Sequence, residues 1–138
     1  MLTQRSDLTC TPASTFTYLG EPLGAAVTLS AVNGAGTTTA NYTGNYARLN
    51  LVPVAGLASN GLAFGAQSGA TLLNSRLSAS CTSCPAFSNG TSSLVAALTV
   101  QRISGTTGTT VDGPFSPATL GLAVSDADGV GMRSPDYN

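Results

Sequence analysis

The sequence predicts an all-β domain, an immunoglobulin-like antiparallel β-sandwich of about seven strands. Three observations support this prediction. Apolar residues alternate with polar ones at a period of two, residues that favour turns separate the alternating stretches, and no convincing amphipathic helix occurs. The length of 138 residues suits one structural unit, so we expect a single domain over residues 1–138.

The clearest strands are those in which apolar residues alternate most strictly. Every second residue from Leu23 to Ala31 is apolar, and Asn33–Gly36 follows with glycines that suit a hairpin turn. In the stretch 94–103, Leu94 and every second residue as far as Val100 form one apolar face. The remaining predicted strands lie at 16–19, 37–42, 46–52, 70–79 and 120–124.

The pattern is less decisive in the middle of the chain. In the predicted strand 46–52, Ala47, Leu49 and Leu51 point to one face, and the strand is expected to end at Pro53. The segment 55–69 suits either a loop or a short strand pair, and 104–117 predicts a long connection between two strands. A closed β-barrel is an alternative that the same pattern allows.

The charge content excludes several classes of function. Only 8% of the residues are charged, against about 25% in an average domain, and the net charge is −1. Because the chain has no basic patch, we expect no binding to nucleic acid or to acidic membranes. Histidine and lysine are absent, so we expect no enzymatic activity and no cofactor. No apolar stretch approaches the length of about 20 residues that a membrane helix needs.

The two ends of the sequence bear on where the protein resides. Residues 1–10 lack the apolar core of a signal peptide, which leaves a cytosolic protein or a piece of a longer exported chain as alternatives. Residues 134–138 end without a closing strand or helix. That ending, together with a surface built from Ser, Thr, Asn and Gly, favours a piece of an exported protein.

The three cysteines, Cys10, Cys81 and Cys84, are disulfide candidates. Cys81 and Cys84 form a CxxC motif in a Ser-rich stretch, which favours a structural disulfide over a redox motif at the start of a helix. A zinc site would need further Cys or His ligands. We expect at least two of the cysteines to be oxidised, and the sequence leaves the pairing open.

Asp126 and Asp128 are weak candidates for a metal site. The segment Asp126–Gly129 has the D-x-D-G form of calcium loops, in which carboxylates two residues apart converge on the ion. The full spacing of an EF-hand is absent, and a turn rich in Asp that closes a strand has the same sequence. We therefore expect no metal, with calcium as the alternative.

The aromatic residues favour a role in packing over a role in ligand binding. Phe115 follows the turn sequence Asp112–Pro114 and is expected to plug the sandwich. An aromatic face for carbohydrate is the alternative for Phe16, Tyr18, Tyr42 and Tyr46. Of the acidic residues, Asp112, Asp126, Asp128 and Asp136 suit turns or a tail, and Glu21 is the only Glu, so paired carboxylates for glycosidase chemistry are not expected.

A series of stretches occurs in a specific order along the chain. The first reads FTYLGEPL at Phe16–Leu23, and the others lie at 28–39, 41–44, 46–49, 87–90, 98–102, 112–115, 120–124 and 126–130. Together they resemble, in the same order, a domain of unknown function in MshQ-like proteins, which are associated with the MSHA type IV pilus. The resemblance covers about residues 8–131. Phe115 stands where that family often has Tyr, and the Cys81/Cys84 pair is an addition to the family pattern.

The resemblance implies a module of a large exported protein at the bacterial cell surface, with no catalytic residues to carry over. It implies a role in adhesion or pilus assembly as a scaffold or tip component. The expected partners are neighbouring domains of the same chain, pilus proteins or host-surface glycans. The alternative is a carbohydrate-binding module, with calcium assisting through Asp126 and Asp128.

Overall fold

Two β-sheets packed face to face make up the protein, and a computed structural model describes residues 2–3, 16–57, 59–103 and 111–137. The predicted all-β sandwich is confirmed, and the described residues form two sheets where the alternative was a closed barrel. No helix in this part of the chain is long and apolar enough to cross a membrane. The strands are β1 (Leu2–Thr3), β2 (Leu23–Ser30), β3 (Pro53–Ala55), β4 (Gly61–Ser68), β5 (Thr71–Leu72), β6 (Leu77–Ser83), β7 (Thr91–Val100), β8 (Ala118–Ser125) and β9 (Gly131–Arg133).

The first sheet has four antiparallel strands in the order β1-β2-β7-β6. The strict alternation in β2 and β7 places one set of side chains inside, where Ala25 lies opposite Ala96 and both are buried. The other set forms the outer face of this sheet and contains only small uncharged residues. This outer face consists of Ala26, Thr28, Ser30, Ser78, Ser80, Thr91, Ser93, Val95, Ala97 and Thr99.

The second sheet is mixed, which corrects the prediction of purely antiparallel pairing. Its order is β3-β4-β8-β9, and β5 also pairs with β4. β3 runs parallel to β4, whereas the other pairs are antiparallel. β4 falls in the segment 55–69, whose structure the sequence left open, and every one of its residues from Gly61 to Ala66 is buried.

β4 and β8 are covered on both faces, which accounts for this complete burial. Their inner face carries Leu62 and Phe64 into the core between the sheets. On the outer face, Ala63 and Ala123 form a second cluster with Tyr137. The segment 134–137 reaches this face because Ser134 N–H donates to Leu122 O (2.7 Å) and Leu122 N–H donates to Ser134 Oγ (2.8 Å).

Three predicted strands are absent, and a fourth, at 70–79, is interrupted. Residues 16–19 and 37–42 form no strand, although the chain does reverse at Asn33–Gly36, as predicted, with a single bridge between Val32 and Thr38. Within 70–79 the chain forms the short β5, a 3-10 turn at Asn74–Arg76 and the start of β6. The predicted strand 46–52 also forms no strand in the structure.

In the segment 46–52 the direction of the side chains was predicted correctly but the backbone was not. Ala47, Leu49 and Leu51 pack against the core, as the alternation indicates. The backbone is held by side chains in place of a neighbouring strand, since Leu49 N–H donates to the Tyr42 hydroxyl at 3.1 Å. Pro53, expected to end a strand, instead begins β3, a position where its missing N–H costs no ladder bond.

Candidate functional site

The predicted turn at Asp126–Gly129 is present and connects β8 to β9. Asp126 N–H donates to Val130 O at 2.8 Å, and Gly129 N–H donates to Asp126 O at 3.0 Å. The carboxylate of Asp126 also folds back on its own turn, because Oδ1 accepts the N–H of Asp128 at 2.5 Å.

The second oxygen of Asp126 has a partner that is distant in the sequence. Oδ2 accepts a 2.7 Å hydrogen bond from the Tyr42 hydroxyl, which lies 84 residues away along the chain. The Tyr42 ring also meets Phe87 edge-on, with 4.9 Å between the ring centroids. The turn is therefore fixed to the segment 41–49 and to the core.

The electrostatics of this contact shift both groups. The Asp128 N–H and the Tyr42 hydroxyl hold the pKa of Asp126 below its ordinary value, against a smaller opposing effect of burial. Burial raises the pKa of Tyr42, and the hydrogen bond to Asp126 and the charge of its carboxylate raise it further. Tyr42 therefore stays protonated and Asp126 ionised across the neutral range.

Asp128 does not join Asp126 around a common point. Its carboxylate lies 3.6 Å from the Arg48 guanidinium, and both side chains are more than half exposed. Within residues 16–57, 59–103 and 111–137 no group of three or more His, Cys, Asp or Glu side chains could hold a metal ion. Calcium takes six to eight oxygen ligands, whereas both Asp126 oxygens already accept hydrogen bonds from the protein.

Cys81 and Cys84 form a disulfide at the end of β6, with their Cα atoms 6.0 Å apart. β6 lies at the edge of its sheet, and its register shifts between Cys81 and Ser83. A bulge and a short covalent loop on an edge strand hinder the addition of a further strand there. Cys10, the third candidate, lies outside the described residues.

A nearly buried ion pair joins Arg76 to Asp112, and no motif in the sequence predicts it. Arg76 Nη2 lies 2.6 Å from Asp112 Oδ2, with side-chain exposures of only 14% and 9%. Arg76 Nε donates to Gln101 O (2.8 Å), and the guanidinium lies 5.2 Å from the centre of the Phe115 ring. Phe115 packs against the core, as predicted for a residue that plugs the sandwich.

The pKa of Asp112 reflects these neighbours. Burial alone would raise it, but the hydrogen bond from the Ile103 N–H and the guanidinium of Arg76 outweigh burial and lower it. Asp112 is therefore an ionised structural carboxylate, and it does not lie beside Asp126, whose partners are different.

A cavity of about 700 Å³ opens between the sheets where β2 begins and β7 ends; we call it the end cavity. Two of the stretches singled out in the sequence meet there, since Phe16–Leu19 and Asp112–Phe115 both line it. Its apolar wall is formed by core residues together with Phe16, Tyr18 and Phe115. The charged residues among its described lining are Glu21, Arg102 and Asp112.

The four aromatic residues considered as a carbohydrate face do not form one surface. Phe16 and Tyr18 make an edge-on pair with 5.2 Å between centroids, and both line the end cavity. Tyr42 packs against Phe87, and Tyr46 is 77% exposed. Glu21 accepts the Tyr18 N–H through Oε2 at 3.2 Å, which ties the pair to the following turn.

The sheets, the fixed Asp126 turn and the end cavity define an all-β sandwich domain. A family model described as DUF6701, third domain, matches residues 2–138, and the chain therefore belongs to this family of domains of unknown function. Neither a curated protein nor a solved structure matches the chain.

Proposed function

We propose that this chain is a non-catalytic module of an exported, multi-domain, MshQ-like protein and acts in pilus-linked adhesion or assembly. The proposal is supported by the ordered stretches from Phe16 to Val130 that resemble MshQ-like proteins. The family to which the chain belongs, the DUF6701 third domain, has no known function of its own. In this role the domain is a scaffold or tip component at the bacterial cell surface.

The observation that carries the proposal is the outer face of the four-stranded sheet. Its ten residues include no charged side chain, and Thr28 Oγ1 lies 3.1 Å from Ser93 Oγ across the strand pair. Val95, in the middle of β7, is 40% exposed on this face. A neutral face rich in hydroxyl groups suits contact with another neutral surface, such as a neighbouring domain, a pilus protein or a glycan.

The arrangement of the carboxylates supports a non-catalytic role. Asp112 is neutralised by Arg76, and Asp126 is held by Tyr42 and the Asp128 N–H. Acid–base hydrolysis of glycosides needs two carboxylates facing one substrate, one of them with a raised pKa. Asp112 and Asp126 instead have lowered pKa values and separate partners.

The direct test is binding of the fluorescently labelled chain to erythrocytes, first with calcium and then with EDTA. We expect saturable binding that Val95→Arg abolishes, because arginine would place a charge in the centre of the outer face. Val130→Arg is the matched control, since Val130 is 71% exposed on the β8–β9 hairpin. Equal binding by the two variants would remove the outer face as the contact surface.

Binding in neither buffer would argue against adhesion and favour assembly. Purified pilus proteins are then the partners to test with the same two variants. Loss of binding in EDTA would assign calcium a role despite the hydrogen bonds that occupy Asp126.

A carbohydrate-binding module is the second candidate, and the Phe16–Tyr18 ring pair favours it. Aromatic rings beside Glu21 at a cavity mouth can stack on a sugar while the carboxylate accepts its hydroxyl groups. A glycan array tests this candidate, with Tyr18→Ala expected to lose binding and Tyr46→Ala to keep it.

A further inference from the structure

The end cavity continues the hydrophobic core. Leu73, Leu77 and Leu98 line it, and these side chains are only 3%, 7% and 1% exposed. Leu120 from the second sheet completes the wall on the opposite side. This leucine wall gives water few hydrogen-bonding partners, whereas an alkyl or aryl group gains dispersion contacts with it.

One charge at the cavity, that of Asp112, is compensated within the protein. Asp112 is paired with Arg76 and accepts the Ile103 N–H, and Glu21 accepts the Tyr18 N–H. Arg102 is exposed to solvent at the lining. Asp112 already has its counter-charge and Arg102 faces solvent, so an ionised group placed among the buried leucines would be costly and this part of the cavity favours a neutral group.

The aromatic residues that line the cavity differ in how accessible they are. Phe16 and Tyr18 meet edge-on, and Tyr18 is 52% exposed, so its ring is accessible. Phe115 is held by the core and by the Arg76 guanidinium. The hydroxyl of Thr17, between the two rings in sequence, is buried and has no hydrogen-bond partner in the part of the chain that the structure describes.

We propose that the end cavity binds a small neutral amphipathic molecule, with an alkyl or aryl group between the sheets and a polar head near Tyr18 and Arg102. The volume of about 700 Å³ lies in the range of small-molecule sites, about 300–1,000 Å³. This binding site is separate from the surface proposed for adhesion, which is the outer face of the four-stranded sheet.

Isothermal titration with n-octyl-β-D-glucoside, kept below its micelle concentration, tests the proposal on the whole chain. This probe joins a neutral polar head to an alkyl chain, and glucose is the same head without the chain. We expect saturable binding of one octyl glucoside per chain and no heat with glucose. Equal binding of glucose would overturn the proposal in favour of a sugar site.

Two substitutions that fill the cavity locate the site. Ala118→Leu and Ala66→Leu extend side chains that line the end cavity, and each is expected to weaken octyl glucoside binding at least tenfold. Ala86→Leu is the matched control at an exposed position outside the lining and should leave the affinity unchanged. Ala118 is itself exposed, so this variant keeps the test decisive if the buried Ala66→Leu fails to fold.

Two results would reject the site. One is the absence of saturable octyl glucoside binding to the folded wild-type chain, with folding checked by circular dichroism. The other is an unchanged affinity in Ala118→Leu, which would place the bound probe elsewhere.

Discussion

The Tyr42 hydroxyl donates a 2.7 Å hydrogen bond to Oδ2 of Asp126 and accepts the N–H of Leu49 at 3.1 Å. One phenol thus connects the β8–β9 turn to the irregular segment that precedes β3. Neither partner belongs to a β-ladder at this point, so the contact replaces the strand pairing that would otherwise hold the segment.

Replacing Tyr42 with Phe tests the contribution of this hydroxyl. The ring contact with Phe87 remains, while Asp126 Oδ2 and the Leu49 N–H each lose a partner. We expect the free energy of unfolding in urea to fall by about 1–2 kcal/mol. Tyr46→Phe removes the same atom from a ring that is 77% exposed and should change the stability by less than about 0.5 kcal/mol. Equal losses in the two variants would contradict this interpretation.

The lowered pKa of Asp126 predicts a loss of stability in acid. A carboxyl group whose pKa is lower in the folded chain stabilises it above the unfolded pKa, about 4, and this contribution disappears as the pH falls through the folded value. Asp126→Asn should therefore reduce the pH dependence of the unfolding midpoint below about pH 4. Asp112, also lowered, keeps part of that dependence in the variant. Asp136→Asn, at an exposed site, is the control and should follow the wild-type curve.

The sequence pattern predicts strands well where a strand has one buried face. β2, β7 and β8 all pair antiparallel, and their positions agree with the predicted strands. Strict alternation in 46–52 misled because it reports only which side chains turn inward, and an extended segment without a ladder has the same period. β4 shows the opposite case, since coverage of both faces removes the alternation altogether.

The candidate sites show a similar distinction. A feature formed by residues close together in the sequence is predictable, whereas a contact between residues far apart in the sequence is not. The Asp126–Gly129 turn is local and was predictable from its residues, whereas its partner Tyr42 lies 84 positions away. The Arg76–Asp112 pair depends on how the 3-10 turn before β6 and the segment that contains Asp112 come together, which no spacing encodes. Such residues come into contact only through the tertiary fold.

The Cys81–Cys84 disulfide predicts a thiol count and a modest effect on stability. Titration of unreduced, denatured protein should find no more than one free thiol, and three free thiols would contradict the bond. The loop of about four residues is short, so replacing both cysteines with serine should cost only about 2 kcal/mol in the chain-entropy model. Cys10→Ser is the control and is expected to leave the Cys81–Cys84 bond intact.

Gly121 lies directly against the segment 134–137, so a substitution there tests how closely this segment is packed. A Cβ atom on Gly121 would fall on the backbone of Tyr137, well inside van der Waals contact. Tyr137 is 3% exposed, and its hydroxyl donates to Gly56 O, so the segment has little freedom to move aside. Gly121→Ala should lower the free energy of unfolding by about 2 kcal/mol or more, through strain or release of Tyr137. Gly24→Ala, in β2, is the matched control because a Cβ there meets nothing within 4 Å. Chymotrypsin cleavage after Tyr137 separates the two causes, since faster cleavage in Gly121→Ala indicates that the segment has detached from the sheet.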